Sequence, residues 1–234
     1  MEDSEIIKLV ENYRAPERAI EIVKQMKIAL VAGITGAGKN TIQNKLLEES
    51  NDYADIVTTI PRAPRPHEQN GVDYYFINNE IALDNLINQR YFETKIVHGR
   101  VYGTTIAELE RISELHKIAL ADVDVQGVDE YYDVAGDDLT AFFLIPPDYT
   151  TWQKRLFSRG ELPAEEFTRR VRSAIMEIKH ALDRDYYHFV VNDDLGQATR
   201  LIDKIVREKD ANYDDTEARK TARALLDDIV ANLA

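Results

Sequence analysis

The sequence predicts an α/β fold, a parallel-sheet core with helices on both faces and a small, mostly antiparallel lobe inserted into it. Three observations carry this reading. An apolar run at 28–32 (Ile-Ala-Leu-Val-Ala) feeds directly into a glycine-rich loop, and apolar positions at helical spacing follow the loop. Further short apolar runs then alternate with helix-period stretches, the pattern of parallel strands buried under helices. Between residues 59 and 103 the pattern changes to prolines, glycines and short alternating runs, which mark turns and antiparallel pairing.

Each element has its own signal. Ile6, Ile7 and Val10 predict a turn or two of helix, and Pro16 is placed to start another whose apolar positions are Ala19, Ile20, Val23 and Met26. The strand at 28–32 enters the loop, and Ile42, Leu46 and Leu47 continue from it as a helix. The inserted lobe carries Pro61, Pro64, Pro66, Gly71, Gly99 and Gly103, with alternation in Asp73-Tyr74-Tyr75-Phe76. Buried strands are expected at 117–123, 140–145 and 188–192, and helices at about 104–115, 149–158, 163–182 and 194–209. At the far end Ala218, Ala222, Leu225, Leu226, Ile229, Val230 and Leu233 recur at spacings of three and four, with Asp214 and Asp215 near the helix N-terminus. That stripe is expected to pack on the chain's own core, the alternative being a homodimer contact.

Composition narrows the function. At 234 residues the chain can bury a substantial core, and its 44% apolar share is that of a globular protein. A net charge of −13 argues against a nucleic-acid or anionic-membrane surface. There are no cysteines, which excludes disulfides, thiolate nucleophiles and Cys-ligated zinc. The first residues, Met1-Glu2-Asp3-Ser4-Glu5, are acidic rather than signal-like, and no apolar run approaches the ~18 residues of a membrane span. The expectation is a soluble, cytoplasmic protein. Its five histidines (67, 98, 116, 180 and 188) show no metal-ligand spacing.

Five groups of residues carry chemistry. Gly33-Ile-Thr35-Gly36-Ala37-Gly38-Lys39-Asn40-Thr41 matches G-x-x-x-x-G-K-[ST] except at Asn40. Such a loop cradles nucleotide phosphates with its amides and reaches them with its lysine, and its hydroxyl normally holds Mg²⁺. Arg62 and Arg65, held by prolines, make a stiff fork for an anionic group. Glu93, followed by Tyr102-Gly103-Thr104, suits a base with adjacent N–H donors, as guanine has. Asp122 and Asp124 close an apolar strand at the end that faces a ligand crevice, although Asp124 could equally cap the next helix. Arg155, Arg159 and Arg170 concentrate positive charge suited to phosphoryl transfer, with ion pairs to Glu161, Glu165 and Glu166 as the competing role.

Taken together and in this order, the set resembles the guanylate kinases from about Ile28 to Arg207. The likeness rests on the P-loop and on Arg62-x-Pro64-Arg65-Pro66-x-Glu68 with Gly71-x-Asp73-Tyr-Tyr-Phe. It rests also on Glu93 with Tyr102-Gly-Thr, Asp122-x-Asp124-x-Gln126-Gly, Arg155-Leu-x-x-Arg159-Gly and Val191-Asn192-Asp193. The resemblance implies transfer of the γ-phosphoryl of ATP to GMP or dGMP, with Mg²⁺. Thr58, Arg62, Arg65 and Tyr74 would then bind the GMP phosphate with Tyr102, and Glu93, Thr104 and Asp124 would read guanine. Gly33, Thr35, Gly36, Ala37, Gly38, Lys39, Asn40 and Thr41 would hold the ATP phosphates, with Asp122 near Mg²⁺. Arg155, Arg159 and Arg170 would close over the transferring group from a helical lid, and Asn192 would sit by the adenine.

The implied organisation is a helical extension at 1–26 and a nucleotide-binding core at 27–58, 104–148 and 183–209. A GMP-binding lobe would occupy 59–103, a lid 149–182 and an amphipathic helix 210–234. The chain departs from the family pattern at Asn40, where a hydroxyl belongs, and at Ile60-Pro61, where two threonines are usual. His67 replaces a glycine, and Val101 a residue that is often tyrosine. The alternatives are a non-catalytic binding module of the same fold and a sugar-phosphate kinase.

Overall fold

The computed structural model describes residues 3–97, 99–158, 160, 163–208 and 213–232. In chain order it begins with α1 (Asp3–Glu11), α2 (Glu17–Gln25), β1 (Ile28–Gly33), α3 (Lys39–Glu49), β2 (Tyr53–Asp55), β3 (Thr59–Ile60) and β4 (Tyr75–Phe76). Next come α4 (Asn79–Ile87), β5 (Tyr91–Val97), β6 (Arg100–Thr105), α5 (Ile106–Glu114), β7 (Ile118–Asp122) and α6 (Val125–Ala135). A 3₁₀ turn leads to β8 (Leu139–Ile145), α7 (Tyr149–Phe157), α8 (Ala164–Leu182), β9 (Tyr187–Val191), α9 (Leu195–Glu208) and α10 (Thr216–Ala231).

The strands form a five-stranded parallel sheet in the order β2-β7-β1-β8-β9 and a four-stranded sheet in the order β4-β3-β6-β5. The α/β class read from the sequence is thus the observed one. In the larger sheet β1 and β8 are buried almost throughout, which is why they read as unbroken apolar runs rather than alternating ones. Gly33 lies opposite Leu144, and Ile145 opposite Val191, so the ends of β1, β8 and β9 are level. In the smaller sheet β3–β6 and β5–β6 are antiparallel, while β3–β4 is parallel. The long connection 61–74 carries the chain around instead of turning it back as a hairpin.

Two compact units are distinguished. The first comprises Met1–Lys27, Asp52–Ala119 and Glu130–Asp138, and the second Ile28–Asn51, Leu120–Asp129 and Leu139–Ala234. In the first, Ala19, Val23 and Met26 of the α2 segment are buried, α2 packs along α5, and Arg18 pairs with Glu110. Ile6, Val10 and Tyr13 pack on the cluster of Ala82, Leu86, Tyr91 and Val101. The N-terminal stretch is therefore part of the packing of this unit. In the second, α10 buries Ala218, Ala222, Leu225 and Ile229 and packs on α8 and β9. Asp215 accepts from the Phe189 amide at 2.9 Å, and Arg219 donates to Tyr187 O at 2.7 Å. Of the stripe considered for a dimer contact, Ala218, Ala222, Leu225 and Ile229 are taken up by the chain's own core, Leu226 is partly buried, Val230 is exposed, and Leu233 lies outside the described residues.

Several elements differ from expectation, among them the short strand β2, for which no signal was read. Thr104 lies in β6 rather than in a helix, because Thr105 is the N-cap of α5, its hydroxyl accepting from the Glu108 amide. α4 and α6 were not anticipated. α4 buries only Ala82 and Leu86, too narrow a stripe to stand out, and α6 contains a glycine and two tyrosines that blur its periodicity. Among the described residues no helix is long and apolar enough to cross a membrane.

Leu225→Ala should lower stability by about 2–5 kcal/mol, the cost of a cavity in a packed core. Val230→Ala, at a position 49% exposed, should stay within about 0.5 kcal/mol. Urea unfolding of the two variants checks the assignment of the buried face.

Candidate active site

The loop after β1 is shaped by two close approaches. Gly33 has φ +145°, and a Cβ there would stand 2.4 Å from the carbonyl oxygen of Leu144. Gly38 has φ +96°, and a Cβ would stand 2.4 Å from Nδ2 of Asn192. Both positions therefore require glycine. Gly38 is also the N-cap of α3, so the loop amides and the helix dipole converge where an anion can be held. Lys39 donates to Gly33 O at 2.8 Å, and its Nζ lies 3.9 Å from Asp122 Oδ1. Asn40 and Thr41 are exposed on the first turn of α3.

Asn192 secures this loop from the end of β9. Its side-chain amide donates to Ala37 O at 2.7 Å and its backbone amide to Ile145 O at 2.8 Å. Its carbonyl accepts from Arg155 at 2.9 Å. The side chain of Asn192, the residue expected by the adenine, is thus engaged with the loop. Trp152, wholly buried on α7, donates to Thr35 O at 2.9 Å. Thr35, Gly36, Gly38, Lys39, Asn40, Thr41, Arg155, Arg170 and Asn192 line one cleft of 480 Å³. Arg170 pairs with Glu166 at 2.7 Å, and Glu166 also takes Arg169. Arg170 first, and then Arg169, holds the Glu166 carboxyl below its usual range. Arg159 and Glu161 lie outside the described residues.

A second, smaller cavity of 230 Å³ is lined by Gly33, Thr35, Lys39, Asp122, Asp124 and Glu177. Burial pushes the Asp122 carboxyl up to about 6, with Lys39 opposing and Asp124 reinforcing the shift. Burial likewise raises Glu177, which accepts from Ser173 at 3.0 Å. Asp124 accepts from the Gly127 amide at 2.8 Å, the helix-cap role the sequence left open. Oxygen donors of this kind suit a hard cation. Among the described residues no group of three or more His, Asp or Glu is arranged to hold a metal. The set fits an ion that keeps most of its ligands from phosphates and water.

All these residues belong to the second unit. The acceptor-side candidates other than Asp124 belong to the first. There Arg62 binds Glu68 through both terminal nitrogens, at 2.6 and 2.7 Å, and lies 5.5 Å from the Tyr74 ring centroid. Glu68, with Tyr102 adding to it, holds Arg62 well above its ordinary value, and Arg62 pulls Glu68 down to about 2. Arg62 is thus already paired with Glu68, whose carboxylate also accepts from the Arg65 amide. The Arg65 residue itself is exposed. Thr58 O accepts from the Tyr75 amide at 2.9 Å. Glu93 and Thr104 face each other across β5 and β6, and Glu93 Oε1 accepts from the Thr104 amide at 2.9 Å. Glu93 is a partly buried strand residue.

Sequence reasoning missed Glu108, Trp152 and Glu177. Glu108 is 2% exposed, and its carboxylate binds the Val57 amide, the Tyr75 hydroxyl and Arg111. Its Thr105-x-x-Glu108 spacing reads as a capping box, yet the side chain turns inward to the segment that carries Thr58. Trp152 is the lone tryptophan of the chain, a signal that was available.

Folding raises the Asp122 pKa from 3.8 to about 6, so the folded state holds this proton more tightly than the unfolded state. The resulting cost is absent below about pH 4 and complete above about pH 6. Without nucleotide, the stability advantage of Asp122→Asn over the natural protein should grow by about 1 kcal/mol between pH 5 and 7.5. Urea unfolding at the two pH values measures it.

The guanylate kinase family model matches residues 25–209. The guanylate kinase of Sphingopyxis alaskensis is 31% identical over 189 residues, covering 81% of this chain and 85% of that protein. That of Hyphomonas neptunium is 34% identical over 172 residues, covering 74% and 78%. The crystal structure of guanylate kinase from Anaplasma phagocytophilum aligns with a TM-score of 0.60 at 26% identity, over 80% of this chain and 87% of that one. With the family model spanning the loop, the lobe and the arginine helices alike, the chain belongs to the guanylate kinase family.

Proposed function

We propose that the chain transfers the γ-phosphoryl group of ATP to GMP, giving ADP and GDP. The observation that carries a catalytic reading over a binding module is the joint presence of Lys39, Arg155 and Arg170 on one cleft with the glycine loop. A module that only binds has no use for this positive charge around a terminal phosphate.

A phosphate oxygen of GMP attacks the γ-phosphorus of ATP, the bond from that phosphorus to the β,γ-bridging oxygen breaks, and ADP leaves. No protein nucleophile is required. The chain's contribution is in-line positioning and stabilisation of charge on the transferring oxygens. The loop amides and Lys39 hold the ATP phosphates, with Thr35, Asn40 and Thr41 lining the same side. Arg155, Arg159 and Arg170 neutralise the transferring group from the lid, taken as 149–182. Asn192 keeps the loop in shape beside the adenine end. Mg²⁺ bound with ATP would supply further charge neutralisation, with Asp122 and Asn40 as the residues nearest to hold it or its water.

On the acceptor side, in the lobe at 59–103, Arg62, Arg65, Thr58, Tyr74 and Tyr102 take the GMP phosphate. Glu93 accepts the two adjacent N–H donors of guanine, with Thr104 and Asp124 completing the selection. Adenine lacks that donor pair. Leaving a buried group unpaired costs about 1–3 kcal/mol.

Initial rates with ATP, Mg²⁺ and either GMP or AMP test this directly. GMP should be strongly preferred, and Glu93→Gln should lower kcat/KM for GMP about 10- to 100-fold. No turnover with GMP at micromolar enzyme would contradict the proposal. Asn40→Ser restores a hydroxyl to the loop and should lower the half-saturating Mg²⁺ concentration, read from rates across a Mg²⁺ series.

A further inference from the structure

We propose that Tyr13, in the N-terminal extension, is a positioning residue for guanine selection. Its hydroxyl clamps the first residue of β5 and thereby holds Glu93 on the correct face of the strand. The inference rests on the reading that Glu93 receives guanine.

The clamp is made by one oxygen. Tyr13 Oη donates to the carbonyl of Tyr91 at 2.6 Å and accepts from the amide of the same residue at 3.0 Å. β5 is an edge strand, with β6 as its neighbour in the sheet. On its other side the Tyr91 backbone meets a side chain where a further strand would lie. Burial pushes the Tyr13 hydroxyl above its ordinary range, so it stays protonated and can both donate and accept. Its ring, with Ile6 and Val10, packs on the cluster that includes Tyr91, which is itself fully buried.

The clamped residue is the sensitive one. The β5–β6 register shifts between Tyr91, opposite Thr105, and Glu93, opposite Thr104. Such an irregularity re-aims the side chains that follow it, and a slip of one residue would turn Glu93 to the opposite face. A cavity of 850 Å³ lined by Val10, Tyr13, Phe92, Glu93 and Ile96 lies alongside, so neighbouring packing does not by itself prevent a shift of the strand. Tyr13 precedes the 25–209 span that matches the family model. The clamp is therefore supplied by this chain's own extension.

Tyr13→Phe keeps the ring and removes the oxygen. KM for GMP should rise about three- to thirty-fold, as expected for one or two lost hydrogen bonds, with KM for ATP within twofold and the preference for GMP over AMP reduced. Val10→Ala loosens the same packing but keeps the hydroxyl, and should lower stability while leaving KM for GMP unchanged. An unchanged GMP constant in Tyr13→Phe, or an equal rise in Val10→Ala, would overturn the proposal. Hydrogen exchange on the natural protein tests it even if a variant fails to fold. The Tyr91 amide should exchange as slowly as the paired amides of β6, and rapid exchange would refute the clamp. Glu93→Gln separates the two claims. If it leaves GMP binding unchanged, the reading of Glu93 fails. If it weakens binding and Tyr13→Phe does not, only the clamp fails.

Discussion

The phosphate side of this protein depends on how closely one loop can approach the ends of two strands. Backbone at Gly33 meets the carbonyl of Leu144, and backbone at Gly38 meets the amide of Asn192, with no room for a side chain at either. Asn192 turns the second approach into an attachment by donating to Ala37 O. The same residue receives Arg155 on its carbonyl, and Trp152 secures Thr35 nearby. Loop shape, the start of α3 and the placement of an arginine on the cleft therefore share one set of contacts. A cradle whose amides must converge on phosphate gains from such preorganisation, since little ordering remains to be done on binding.

The proposed guanine site poses a different problem, that of holding a carboxylate partly out of water. Strand pairing does most of this by placing Glu93 opposite Thr104 and giving it the Thr104 amide. Glu108 does comparable work from α5. It is 2% exposed and ties the Val57 amide, Tyr75 and Arg111 together. Arg62 lies over Tyr74 and Phe76 with its charge matched by Glu68, so an incoming phosphate would compete with, or join, an existing partner. One of the proposed phosphate contacts, Arg62, is thus already paired within the chain.

Much of the architecture was legible because its signals are local. A buried strand, a glycine loop and a helix in succession require particular residues at particular spacings, and so do the almost wholly buried strands β1 and β8. The residues that proved illegible act through distant partners. Tyr13 reaches a backbone 78 positions away, and Trp152 one 117 positions away, distances at which no periodicity informs. Glu108 was obscured by ambiguity instead, since its spacing from Thr105 also spells a helix cap. Arg62 and Glu68 were both visible, but composition could not say that they would satisfy each other.

The central claim is that the terminal phosphate of ATP ends on GMP. Phosphorus-31 NMR of the protein with ATP, GMP and Mg²⁺ follows that atom directly. The account predicts that the γ-phosphorus signal of ATP is lost as the β-phosphorus signal of GDP grows in equal amount, with ADP in step and little inorganic phosphate. Release of inorganic phosphate while GMP persists, or no change in either nucleotide, would contradict it.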